Sequence, residues 1–282
     1  DIRPDTLNMD ENLLKAAITS KTRAIVPVHY AGVSCEMETI LKLAADHGLS
    51  VVEDAAQALL SSHNGKMLGT LGQFGCLSFH ETKNVISGEG GALLVNDESY
   101  VERASVVWEK GTNRKKYFEG KVDKYTWVDI GSSFLPGELT AAFLFAQFER
   151  AEEINARRMD LCRLYAKLLA PLAEEHGLRI SEFRDEEGEN GHLFYLLVRN
   201  PAERNALIQH MALTGIQAVF HYIPLHSSPA GQKFGRCSGR MTVTDDISAR
   251  LIRLPLFFEL TDDDVARCCE SIRKFFQSSH NS

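Results

Sequence analysis

Along the chain, short apolar runs alternate with stretches whose apolar residues recur every three or four positions, the pattern of strands interleaved with amphipathic helices. Asn8 or Asp10 can cap a helix through about Ser20, and RAIVPVH (23 to 29) suits a strand buried on both faces. Residues 35 to 47 place Met37, Ile40, Leu41, Ala44 and His47 at helical spacing, with Gly48 where a left-handed cap is wanted. LSVVED follows as a strand ending in Asp54. A strand, a crossover helix and a strand make one right-handed unit, so the two strands should lie parallel, with His29 and Asp54 at the same edge. Open α/β sheets bind ligands at that edge.

A Gly-rich loop (HNGKMLGTLGQFG) leads to the strand CLSFH, then ETKNVISGEGG, then a returning strand GALLVND. From Glu138 to about Ala170 the pattern predicts one unbroken helix that Pro171 stops, long enough to bridge two domains. Beyond it come a charged loop (RDEEGENG), a strand (HLFYLLV), a helix capped before Ala202, a strand (IQAVFHY) and a last helix from Thr261 with Asp264 three residues on. The expected architecture is α/β: a large domain over residues 1–150 with a mostly parallel sheet, and a smaller C-terminal α/β domain over 151–282. Asp1 and the turn-rich DIRPDTLNMD read as if a strand before them had been cut away, so an N-terminal segment is expected to be missing.

Composition narrows the partners. The 282 residues are 44% hydrophobic and carry a net charge of -7 mixed along the whole length, without the basic block that follows a nucleic-acid backbone. No apolar run is long enough to span a bilayer and no signal-peptide pattern is present, so a cytoplasmic protein without a membrane partner is expected. The six cysteines form no C-x-x-C pair, which favours free thiols over zinc or disulfides.

The candidate chemistry centres on Asp54 in VVEDAAQ and Lys83 in SFHETKNVISGEGG, each just past a strand opening on one crevice. Pyridoxal phosphate needs a lysine for its Schiff base and an anion to keep its pyridine nitrogen protonated. A freed lysine amine can also shuttle a proton, provided burial lowers its pKa. Two other chemistries have weaker grounds. Ser78, His80 and Asp54 could form a hydrolytic set, but no G-x-S-x-G elbow is present. No G-x-G-x-x-G follows the first strand, which sets aside a dinucleotide-binding fold.

The stretches VPVHYAG, VVEDAAQALLS, GTLGQFGCLSFHETKNVISGEGGALLV, GELTAAFLFAQFE and HYIPLH resemble, in order and spacing, the sugar aminotransferases of the DegT/StrS type. The resemblance covers nearly the whole chain. It implies the aspartate-aminotransferase fold (fold type I), pyridoxal 5'-phosphate, a homodimer or higher homo-oligomer, and a nucleotide-sugar substrate with an amino-acid donor. Carried over by motif, it makes Lys83 the Schiff-base lysine and Asp54 the partner of the pyridine nitrogen. It sets Gln57 near the ring hydroxyl and Ser78 on the phosphate. His29, Glu89 and His226 match positions near the cofactor and sugar. His221 and His226, five apart, lack a third partner for a metal, so none is expected. At GSSFLPGEL, Ser133 and Leu135 replace an Asn and an Arg common in the family, and Ser133 inherits a contact to the neighbouring subunit's phosphate. The alternative reading is a non-catalytic or truncated relative that keeps cofactor binding.

Overall fold

A computed structural model describes residues 1–183 and 188–278, so part of the expected charged loop, 184 to 187, lies outside the described residues. Asp10 caps α1 (Glu11–Ala17), its carboxylate accepting the Asn12 N–H, and the helix ends three residues short of Ser20. β1 (Ala24–Ile25) is shorter than expected because Pro27 has no N–H to offer. Beyond it a single bridge, Val28 to Asp54, continues the pairing. α2 (Met37–Asp46) buries Met37, Ile40 and Ala44, and Gly48 takes the left-handed conformation expected of it. β2 (Ser50–Asp54) follows, then a small hairpin of β3 (Ser62–His63) and β4 (Lys66–Met67), then β5 (Phe74–Ser78) and β6 (Gly91–Val95). The first sheet has the order β1-β2-β5-β6, with β1, β2 and β5 parallel and β6 antiparallel to β5. Asp54 and Ser78 close β2 and β5, both at the carboxyl edge.

α3 (Val101–Trp108) and α4 (Arg114–Phe118) precede the region expected as one long helix. That region is two helices, α5 (Glu138–Phe148) and α6 (Ala151–His176). The break falls where the Arg150 N–H reaches Gln147 O instead of the carbonyl four residues back, which tightens the turn and redirects the chain. Pro171 does not stop α6. It stands on the solvent side, and the buried face of Leu161, Tyr165, Leu169, Leu172 and His176 continues past it until Gly177, at φ 63°, caps the end. Packing of that face outweighs the lost hydrogen bond.

β7 (Arg179–Ile180), β8 (Phe194–Leu197), α7 (Pro201–Leu213), β9 (Val219–Phe220), α8 (Pro229–Phe234), α9 (Thr242–Arg250), β10 (Leu251–Leu254) and α10 (Asp262–Ser278) complete the chain. The Asn200 side chain caps α7, and Thr261 and Asp264 bond reciprocally at the start of α10. The second sheet has the antiparallel order β7-β8-β10-β9. Its Phe194, Leu196, Ile252 and Leu254 face a core shared with α6, α7 and α10. The alternate residues Tyr195, Leu197 and Leu251 face the other way and meet Leu7, Ala31 and Tyr30 from the first half of the chain. No helix among the described residues is long and apolar enough to cross a membrane.

Candidate active site

Glu53 and Asp54 are neighbours on β2 and therefore point to opposite faces. Glu53 is fully buried, and its carboxylate accepts the N–H groups of Gly69 at 2.8 Å, Leu71 at 2.6 Å and Gly72 at 2.7 Å. Its fourth partner is His29, whose Nε2 lies 3.0 Å from Glu53 Oε2. Burial pushes the Glu53 carboxyl up, but these four donors outweigh it and hold it below the ordinary carboxylate range. The Gly-rich loop thus wraps an internal carboxylate. A side chain at Gly72 would strike Val51 O at 2.6 Å, which explains the glycine there.

The same pairing corrects the expectation for His29. It has no exposed surface, its Nδ1 accepts the Cys35 N–H at 3.2 Å, and both ring nitrogens are taken. His29 is a buried strut beneath the sheet edge, with neither ring nitrogen free to offer.

Asp54, on the open face, spends one oxygen on the Ala56 N–H at 3.1 Å. Its charge is felt at Lys83, in the turn after the neighbouring strand β5. Lys83 is half-buried in the turn after β5, its N–H bonded to His80 O, and its ammonium has no hydrogen-bond or ion-pair partner among the described residues. Burial lowers its pKa, Asp54 works against that, and Arg253 adds to it; the net is below the ordinary lysine value. Next to it, the buried Asn84 donates to Asn155 Oδ1 at 2.9 Å and to Asn190 O at 2.8 Å, and its own Oδ1 lies 3.0 Å from His192 Nδ1. The lysine turn is thereby fastened to α6 and to the start of the second sheet.

Gln57 Oε1 accepts the Ala31 N–H at 2.7 Å, which steadies the left-handed Ala31 and leaves the Gln57 amide NH₂ to donate elsewhere. The Ser78 hydroxyl, at the end of β5, accepts only the His80 N–H among the described residues, at 3.4 Å. His80 turns its ring to Thr82 and Glu89 instead, so the hydrolytic set of Ser78, His80 and Asp54 does not assemble. An unpaired amine, a carboxylate with a free oxygen, an amide and a hydroxyl therefore stand at or just past the carboxyl edge of the first sheet with unspent hydrogen-bonding capacity. Pyridoxal phosphate needs one group of each kind, and these residues fit it.

The other predicted residues lie farther out. Glu89 sits on an exposed turn with Oε1 3.7 Å from His80 Nε2, and no contact links it to Lys83. His226 is bonded to Asp245 Oδ1 at 2.8 Å. Ser133 is exposed in a segment that bridges back to Glu109.

Sequence reasoning missed the far wall of the crevice. Tyr30 Oη lies 3.4 Å from His221 Nδ1, joining the loop after β1 to the end of β9. Arg253 on β10 stands beside both, with its guanidinium carbon 5.5 Å from the centre of the Tyr222 ring. Burial, then Arg253, pushes the His221 imidazole down to about 4. Burial, followed by Arg158, Lys83 and Arg253, pushes His192 well below its ordinary value. A charged residue inside the apolar run LIRLPL was the available signal.

The model of the DegT/DnrJ/EryC1/StrS aminotransferase family matches residues 1–273. An uncharacterized protein of Methanocaldococcus jannaschii, MJ1066, is 33% identical over 97% of this chain and 72% of its own length. GDP-perosamine synthase of Escherichia coli O157:H7 is 30% identical over 96% of this chain and 71% of its own. Among solved structures, the putative sugar aminotransferase Spr1654 of Streptococcus pneumoniae in its PMP form superposes with a TM-score of 0.85 at 25% identity, covering 99% of this chain and 75% of that one. DesI, solved in the presence of its TDP-sugar product, superposes at 0.84 with 25% identity, covering all of this chain and 71% of that one.

Proposed function

The chain belongs to the DegT/DnrJ/EryC1/StrS aminotransferase family, and from that premise we propose that it moves an amino group from glutamate to the C4 ketone of a dTDP-4-keto-6-deoxyhexose. The product is a dTDP-4-amino-4,6-dideoxysugar. The motifs of the chain resemble those of the enterobacterial transaminase that makes dTDP-4-amino-4,6-dideoxygalactose for enterobacterial common antigen. The family's enzymes are pyridoxal-phosphate-dependent sugar aminotransferases. One observation carries the reading: Lys83 presents an unpaired amine, below its ordinary pKa, in the same crevice as the Asp54 carboxylate.

When bound, pyridoxal phosphate supplies an electron sink for the carbon that gains or loses the amine. Lys83 would hold its aldehyde carbon, Asp54 its ring nitrogen, Gln57 its ring hydroxyl and Ser78 its phosphate. Because burial disfavours its ammonium, Lys83 would take up a proton at Nζ and return it more readily than an exposed lysine. A positioned acid-base group of this kind is worth about 10²- to 10⁴-fold. Asp54, anchored by the Ala56 N–H, keeps its free oxygen on the crevice side and holds a proton at the ring nitrogen. Glu89 and His226 belong to the sugar side, where His226 is oriented by Asp245.

The large, cofactor-binding unit ends at Arg150 and the small unit begins at Ala151. The turn between α5 and α6 and the separate sheets on either side of it support that division. The working form is a homodimer in which Ser133 faces the partner's phosphate. Its support is the exposed apolar stretch around it, Trp127, Ile130, Phe134, Leu139 and Phe145.

The test uses the full-length protein loaded with cofactor. The visible absorbance of the lysine-linked cofactor and glutamate-dependent amination of dTDP-4-keto-6-deoxyglucose should both vanish in Lys83→Ala. A band that survives this change unaltered removes Lys83 as the anchor. A wild-type protein that keeps the band but never turns over is the non-catalytic relative.

A further inference from the structure

Lys83 and Asp54 lie on different stretches of chain, and no hydrogen bond or ion pair joins their side chains among the described residues. Pairing between β2 and β5 does not hold the lysine either, because β5 ends at Ser78, ahead of the turn that carries it. The turn's own bonds, among them Lys83 N–H to His80 O, shape it without tying it to the chain around Asp54.

The side chain next to Lys83 makes that tie. Asn84 Nδ2 spends one hydrogen on Asn155 Oδ1 and the other on Asn190 O. A backbone carbonyl only accepts, so this amide cannot be turned over, and its Oδ1 is left to accept from His192. His192 Nδ1 therefore carries the hydrogen of that contact, in a ring kept neutral by burial and then by Arg158. Asn155 and Asn190 pass the connection on. Asn155 Nδ2 donates to Leu59 O at 3.2 Å, and Asn190 Nδ2 donates to Gln57 O at 2.9 Å and Leu59 O at 3.0 Å. Gln57 and Leu59 belong to the stretch that follows Asp54. One buried set of amides thus grips both the lysine turn and the chain just past the carboxylate, and a carbonyl fixes the orientation of each amide.

We propose that Asn84, Asn155 and Asn190 act as a caliper, positioning residues that set the separation between the Lys83 amine and the Asp54 to Gln57 stretch. The bearing of this on catalysis rests on the transaminase reading above, in which one cofactor touches both ends. A lysine amine rides on a flexible four-carbon stem, so its placement is no better than that of the backbone beneath it. A misplacement of about 1 Å at a reacting group can cost about 10²-fold in rate. Buried polar networks suit this task because each member is held only while the others are in place.

The experiment compares full-length wild type with N84A, H192L and H192N. In protein stripped of cofactor, the lysine amines are methylated with isotopically labelled formaldehyde. The Lys83 signal, assigned by its absence in Lys83→Ala, is then titrated by NMR. Unmodified protein is given pyridoxal phosphate, and the growth of the visible band is timed before kcat and both KM values are measured. In N84A the Lys83 pKa should rise toward the ordinary lysine value, because a loosened turn returns the amine to water. Band growth and kcat should fall about 10- to 100-fold, with KM for glutamate and for the dTDP-sugar within about threefold of wild type. H192N offers an amide N–H where Nδ1–H stands and should stay within about threefold of wild type throughout, whereas H192L leaves Asn84 Oδ1 without a donor and should follow N84A part of the way. If N84A does not fold, the contrast between H192N and H192L decides. A folded N84A with the Lys83 titration, band growth and kcat of wild type overturns the proposal. So does a lowered thermal midpoint with those readouts unmoved, which would make the amides structural only, and so does an H192L indistinguishable from H192N. A wild type that never aminates the keto-sugar overturns the transaminase reading, while the titration still decides the caliper.

Discussion

His221 shows how strongly the crevice controls a single proton. Burial and Arg253 hold its folded pKa at about 4, below the ordinary histidine value. Between those two values the unfolded chain takes a proton that the folded chain refuses, so stability is full above the ordinary value and falls as pH drops toward 4. From pH 7 to pH 5 this costs about 2 kcal/mol. Urea unfolding at the two pH values should show that loss in wild type and a smaller one in His221→Gln; equal losses would mean His221 is not held neutral. The two acidic residues of VVEDAAQ show what one sequence conceals. Their alternation on a strand was legible, because period 2 sends adjacent side chains to opposite faces. The internal role of Glu53 was not, because that depends on where a loop some 20 residues later places its N–H groups.

At the scale of elements, the most consequential contact is between β2 and the Gly-rich loop. Glu53→Ala leaves three backbone N–H groups and His29 without their acceptor, and unpairing a buried ionic set of this kind costs about 3 to 5 kcal/mol. Chemical denaturation should register that loss, and a midpoint unmoved from wild type would count against the cradle. The loop's glycines read in sequence only as a Gly-rich connection, whereas here they serve close internal packing. Strand and helix types were legible wherever the apolar period was long and clean, as in α2, β2 and α10. The single helix expected from Glu138 was not resolved into two, since helical periodicity carries across a one-turn break. β10 went unseen because four residues with an arginine third give too short a pattern, and Arg253 was missed with it.

At the scale of the whole molecule, α5 is apolar on all its sides yet buries none of them, and a helix of that composition is normally covered. Leu139 and Phe145 are 89% and 66% exposed. The full-length protein should sediment as a dimer, and Leu139→Glu with Phe145→Glu should weaken association at least about tenfold; an unshifted sedimentation profile would place the interface elsewhere. The proposed two-part division at residue 150 comes from the strand-helix alternation on either side of it. The fastening between the parts was not legible, because Asn84, Asn155, Asn190 and His192 carry no periodic signal. That fastening also orders events during synthesis. Asn84 finds its last partner 108 residues downstream, so the fastening of the turn that bears Lys83 is complete only once the ribosome has delivered His192. Under the proposed function, a polypeptide stalled before that point would hold its cofactor lysine in a turn still short of one fastening.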